Sequence, residues 1–146
     1  MSTPVRRGIY GKLTSDWGAG SNTLRALLAT SAPGWSKPIY HHIAPDTAEY
    51  PFIVFWKESG LPVEAMQDPS AFENDIWVVK CIDDEPSADR AEAVAARVQT
   101  LLNDATFTIS GAELLYLRRQ GDVEYSEEQD GVLYRHAGAR YRLVYT

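Results

Sequence analysis

The sequence predicts an α+β domain: a mainly antiparallel four-stranded sheet with helices packed on one face, in the order α-β-β-α-β-β. Three observations carry this expectation. Tyr50 to Trp56 holds seven residues, none charged and most β-branched or aromatic. That run is too short for a buried helix and suits a strand buried on both faces. Ile76 to Ile82 repeats the pattern, so the two runs form an adjacent strand pair, which ordinarily lies antiparallel. Ala88, Ala91, Ala95, Val98 and Leu102 then fall at helical spacing on one face, with Val94 and Leu101 beside them. Strand pairs on either side of such a helix stack it against one sheet face.

The elements follow in order. Residues 1–8 are polar and read as a flexible N-terminus, with a single domain over residues 9–146. Ile9, Leu13 and Trp17 recur every fourth residue and predict a first helix. Gly18 to Gly20 breaks it, and Ser21 is placed to cap a second helical piece carrying Leu24, Leu27 and Leu28. Ala32-Pro33-Gly34 stops that piece, and a short extended run, Pro38 to Ile43, leads to the Tyr50 strand. Pro51 lacks a ladder donor and fits a strand start. Lys57 to Ala71 reads as an oversized hairpin loop with Gly60, Pro62 and Pro69. Loops this long are uncommon inside compact domains and serve binding when they are ordered. Leu61, Val63 and Met66 give it apolar groups with no core of their own, so it is expected to pack onto a neighbour, against the plain reading of a floppy hairpin tip.

Asp83 to Ser87 opens the clear helix with the acids and early proline that an unpaired, positive helix end favours. It should end near Asn103-Asp104. Two strands close the chain, over Ala112 to Arg119 and Leu133 to Tyr145. In the last, Leu133, Ala137, Ala139, Tyr141, Leu143 and Tyr145 share one parity, and Tyr134, His136, Arg140 and Arg142 share the other. Gly138 predicts a bulge or bend there. The connection Gly121 to Gly131 carries Asp122, Glu124, Glu127, Glu128 and Asp130 and no base.

Composition narrows the function. With 146 residues and 45% hydrophobic content, one core is affordable and one domain is expected. The net charge is −6, distributed as +2 over residues 1–50, −7 over 51–104 and −1 over 105–146. No segment has the basic excess of a protein that grips nucleic acid. No apolar run spans a bilayer and Met1 to Gly8 lacks a signal-peptide core, so a cytoplasmic site of synthesis and no membrane partner are expected. The single Cys81 rules out an intrachain disulfide framework and lies in an apolar strand, where a thiol is inert packing.

The remaining chemical candidates are weak. His41 and His42 are adjacent, so on a strand their rings point to opposite faces and cannot share a metal, with His136 far away. Gly18-Ala19-Gly20-Ser21 is half of a nucleotide loop, but no strand precedes it and Thr23 stands where the third glycine belongs. Asp83-Asp84-Glu85 is explained by the helix start without a cation. No set of acid, base and nucleophile assembles. No enzyme activity, cofactor or metal is expected.

Ile39-Tyr40, Ala44-Pro45 and Tyr50 to Phe55 resemble the signature of tail-terminator, or tail-completion, proteins of long-tailed phages and phage-like particles. Ile76-Trp77 through Asp83, the helix Ala88 to Leu102, and the closing pieces Asp130-Gly131, Tyr134-Arg135-His136 and Tyr141-Arg142 agree, in order. The Gly18-Ala19-Gly20 break departs from the pattern and looks like an insertion. The resemblance implies a virion structural protein that forms a homo-oligomeric, hexameric ring at the head-proximal end of the tail, assembled in the host cytoplasm. It implies that the ring terminates tube polymerisation, with the tail tube protein and the head connector or stopper as partners and DNA only passing through. A head-completion or neck ring protein is the near alternative; a small α+β ligand-binding domain or enzyme is the distant one. In a ring around DNA, an acidic wall would repel phosphate and let it slide. Glu124, Glu127, Glu128 and Asp130 are therefore expected near the channel, against the plain reading of a solvated hairpin end. Arg140 and Arg142 are expected to pair with carboxylates across a subunit boundary.

Overall fold

The computed structural model describes residues 2–29, 37–65 and 68–146, and all of their side chains except those of 2, 63–65 and 68–71. The elements are α1 (Ser2–Thr14), α2 (Leu24–Leu27), β1 (Ile39–His41), β2 (Phe52–Ala65), β3 (Asp68–Asp83), α3 (Asp89–Leu102), β4 (Leu114–Gln129) and β5 (Val132–Tyr145). The strands form one sheet in the order β1-β2-β3-β5-β4. β1 runs parallel to β2, and every other pair is antiparallel. The α+β class is as expected, but the sheet has five strands, not four. The extra strand is the short run 39–41, which joins the sheet edge instead of merely leading to β2.

The helices lie on one face. Ile53 and Phe55 of β2, Trp77, Val79 and Cys81 of β3, and Ala137, Ala139, Tyr141, Leu143 and Tyr145 of β5 share one core with α1 and α3. α3 contributes Ala91, Val94, Val98 and Leu102, the face its spacing predicts. α1 contributes Val5, Ile9 and Leu13, all at most 1% exposed. Where residues 1–8 were expected to be flexible, the helix begins at Ser2. Val5 extends the Ile9–Leu13 stripe by one turn, and Gly8 lets Phe107 pack against the helix: a Cβ there would stand 2.2 Å from its ring.

Asp16 ties these layers together. Its carboxylate accepts the Leu24 amide at 2.8 Å and a fork from Arg97 of α3 at 2.7 and 2.6 Å. The cap of α2 is Thr23, whose hydroxyl accepts from the Ala26 amide, and not the expected Ser21. At the start of α3, Arg90 clamps the buried Asp83 through two bonds and lies 3.6 Å from Asp84 and 3.4 Å from Glu85. The acidic run is thus organised by an arginine in the first turn of the helix.

β5 has no bulge at Gly138. The glycine instead allows β5 and β3 to approach, since a Cβ there would lie 2.2 Å from the Val79 carbonyl oxygen and 2.4 Å from the Lys80 Cα.

Candidate assembly surfaces

Both polar connections expected as loops are strands. β2 and β3 continue pairing through Val63↔Phe72 and Ala65↔Asp68, past the last β3–β5 pair at Glu73↔Tyr145. The result is a two-stranded ribbon beyond one end of the sheet. Bulges at Lys57/Ser59 and Val63/Ala65 twist it. β4 and β5 likewise pair to Gln129↔Val132, closed by Asp130 and Gly131, whose φ values of 52° and 78° suit a tight hairpin turn. Since β3 and β5 are antiparallel, the two hairpins leave opposite ends of the sheet.

At the root of the ribbon, Asp75 is fully buried. Its carboxylate meets Lys57 at 3.3 Å and accepts the Tyr145 hydroxyl at 3.2 Å. Burial, and then the Asp75 charge, push the Tyr145 phenol up. Gly60 makes room, because a Cβ there would lie 2.5 Å from the carboxylate. Leu61, opposite Asn74, is 70% exposed. The side chain of Val63 and the whole of Met66 lie outside the described residues.

The face away from the helices carries no covering helix among the described residues. It is nonetheless well packed. Phe52, Val54 and Val78 are buried there, while Trp56 and Ile76, expected in the core, are half-buried. Lys80 is 9% exposed, with no carboxylate partner among the described residues. Its ammonium sits 5.1 Å from the Trp56 ring and 4.9 Å from the Tyr125 ring, and donates to the Tyr125 hydroxyl. Aromatic faces thus substitute for an anion. Tyr125 also stacks on His136, centroids 4.3 Å apart, and His136 meets Glu127 at 2.7 Å. Burial, then Lys80, hold the His136 imidazole below its ordinary value, opposed by Glu127. A groove lined by Phe52, Val54, Trp56 and Ile82 runs to Ile43, which is 82% exposed.

The expected site residues fall in several places. Glu124, Glu128 and Asp130 are exposed, and Glu127 lies on the open face against His136. Glu124 is opposite Ala137 and so faces the helix side, toward α3. Beside them Val132 and Leu133 are 40% and 37% exposed, an apolar addition at the same tip that charge counting misses. Arg140 and Arg142 lie at the base of the ribbon, not beside the acidic tip. Both have partners within the chain: Arg140 forks onto Glu58 at 2.8 and 3.0 Å, and Arg142 donates to Asn74 at 2.9 Å. His41 and His42 were expected on opposite faces. β1 ends at His41, His42 turns to φ 68°, and the rings meet with centroids 4.4 Å apart.

No helix among the described residues is long and apolar enough to cross a membrane. No curated protein matches the chain. A chain solved in the virion of a native gene transfer agent (GTA) particle has the same fold, with a TM-score of 0.64 at 18% identity over 94% of this chain and 92% of that one. The family described as tail completion protein gp17 matches residues 19–146, from the turn before α2 to Thr146, one residue past the closing strand. The chain belongs to the tail completion protein gp17 family.

Proposed function

We propose that the protein is a virion structural component that forms a ring, with six copies as the expected number, at the head-proximal end of a phage-type tail tube. There it ends tube polymerisation and joins the tail to the head connector. The observation that carries this reading is the pair of hairpins leaving opposite ends of one sheet. A subunit that touches a tube on one side and a connector on the other can use one projection for each. The ribbon carrying Leu61 and Val63 meets a neighbouring subunit or the tube, and Met66, which falls between its two strands in the sequence, is assigned to the same contact. Exposed apolar groups on a projecting ribbon become stabilising once covered. The β4–β5 tip with Glu127, Glu128 and Asp130 lies along the DNA path, where like charge keeps phosphates from adhering. The role needs no catalysis and no cofactor.

Particles assembled without the protein test the reading. Tubes of uncontrolled length, unattached to heads, are expected. Tails of normal length that merely fail to join heads would assign the chain to the neck instead, and normal particles would overturn both roles.

A further inference from the structure

The strand order puts β1 and β4 at the two edges of the sheet, four inter-strand spacings or about 19 Å apart. On the helix side, each edge carries a groove of opposite character. Beside β1, Arg6, Arg7 and Tyr10 of α1 line a groove with Ile39, His41 and Phe55. Neither arginine has an ion-pair partner among the described residues. Beside β4, Glu92 of α3 and Glu124 of β4 face one another across a groove floored by Ala137, Gly138 and Ala139. The nearby base, Arg119, is already committed to Asp122. The two glutamates therefore face each other without a cation. Their mutual hydrogen bond, and then the charge of Glu124, hold the Glu92 carboxyl above its ordinary value. Each edge lacks what the other presents.

We propose that copies of this chain meet edge to edge, with Arg6 and Arg7 of one copy seated against Glu92 and Glu124 of the next. This rests on the ring reading and specifies its subunit contact. A ring needs a head-to-tail contact between two different, complementary patches. Either edge placed against itself would bring like charges together, so a two-fold dimer through these edges is disfavoured. The floor of small residues on the β4 side leaves room for an arginine and a tyrosine to enter. Near its start, β4 is occupied by the end of α3: the Asp104 amide donates to the Leu117 carbonyl at 2.8 Å and the Arg119 amide to Asn103 at 3.0 Å. The contact therefore falls on the part of β4 beyond Arg119, where Glu124 lies.

Charge reversal within one chain is the test, read as assembly mass at low salt. Arg6→Glu with Arg7→Glu, or Glu92→Lys with Glu124→Lys, should weaken assembly on the order of a hundredfold. All four substitutions together reverse both patches and should restore it, which a folding defect would not do. A wild-type ring with both two-site variants assembling normally overturns the edge contact and leaves the ring reading standing. Failure of the four-site variant to assemble, with its melting temperature unchanged, also overturns the contact. Loss of nucleic-acid binding by the Arg6 and Arg7 variant, without loss of assembly, would reassign that groove to phosphate. A wild-type protein that never assembles, even on tube ends, removes the ring reading and this contact together.

Discussion

Gly138 shows how a single residue sets the approach of two strands. Any side chain there meets β3 backbone at 2.2 and 2.4 Å, and backbone cannot rotate away. Gly138→Ala should therefore destabilise by about 1–3 kcal/mol, read from the denaturant midpoint, through overpacking and not through φ. Asp16 carries the second residue-scale prediction. Its hydrogen bond from Arg97 holds its carboxyl below the ordinary 3.8, with burial opposing. The folded state thus favours the ionised form. This contribution is complete above about pH 4 and disappears as pH falls through the depressed value. Asp16→Asn should flatten the stability profile in that window, and Arg97→Ala should cost on the order of 3 kcal/mol at neutral pH by leaving the buried carboxylate without its partner. An unchanged acid profile in Asp16→Asn would contradict the assignment. Neither residue announces its role in the sequence. Asp16 and Arg97 are 81 positions apart, and only the packing of α3 over the α1–α2 turn brings them together.

At the scale of elements, α3 was legible because it buries one face and exposes the other. β5 was legible because its helix-facing parity is apolar while Arg140 and Arg142 mark the other. Their periods of 3.6 and 2 survive in the residues even though His136 and Val144 are buried. β2 was legible as a strand but not in its facing. Phe52, Val54 and Trp56 look as apolar as Ile53 and Phe55, and it is the second set that meets the helices. The ribbon and the acidic hairpin were hidden for the opposite reason. A strand pair that projects beyond the core needs no strict alternation, and Pro62 and Pro69 read as breakers although both lie within paired strands. Residues 1–8 read as a polar tail, and the first two turns of α1 are hidden there because a single buried side chain, Val5, carries them. Trimming the ribbon to a tight turn beyond Glu73 should leave the domain folded, by circular dichroism, and impair capping of tubes. Capped tubes at normal yield would reduce the ribbon to a mere tip. Changing Glu127, Glu128 and Asp130 to Lys should slow DNA ejection at low salt while rings still form. Because Glu127 also bonds the buried His136, Glu128→Lys with Asp130→Lys alone serves as the variant that leaves the open face intact. Unchanged ejection in both would place this hairpin away from the DNA.

The described residues form one sheet with helices on one side, a packed aromatic face without a covering helix on the other, and a projection at each end. The resemblance in the ordered motifs identified the family from the sequence, and the family match over residues 19–146 agrees. What the motifs could not convey is that the acidic hairpin and the ribbon carrying Leu61 sit at opposite ends, since that depends on strand order and register. On the proposed reading, that separation lets one subunit reach a different partner at each end. Electron cryo-microscopy of intact particles tests the central claim most directly. A closed ring of this chain between tail tube and head, with the β2–β3 ribbon against tube or neighbouring subunit and the β4–β5 tip beside the DNA, is the predicted result. A ring elsewhere in the particle, or single copies with both hairpins in solvent, would contradict it.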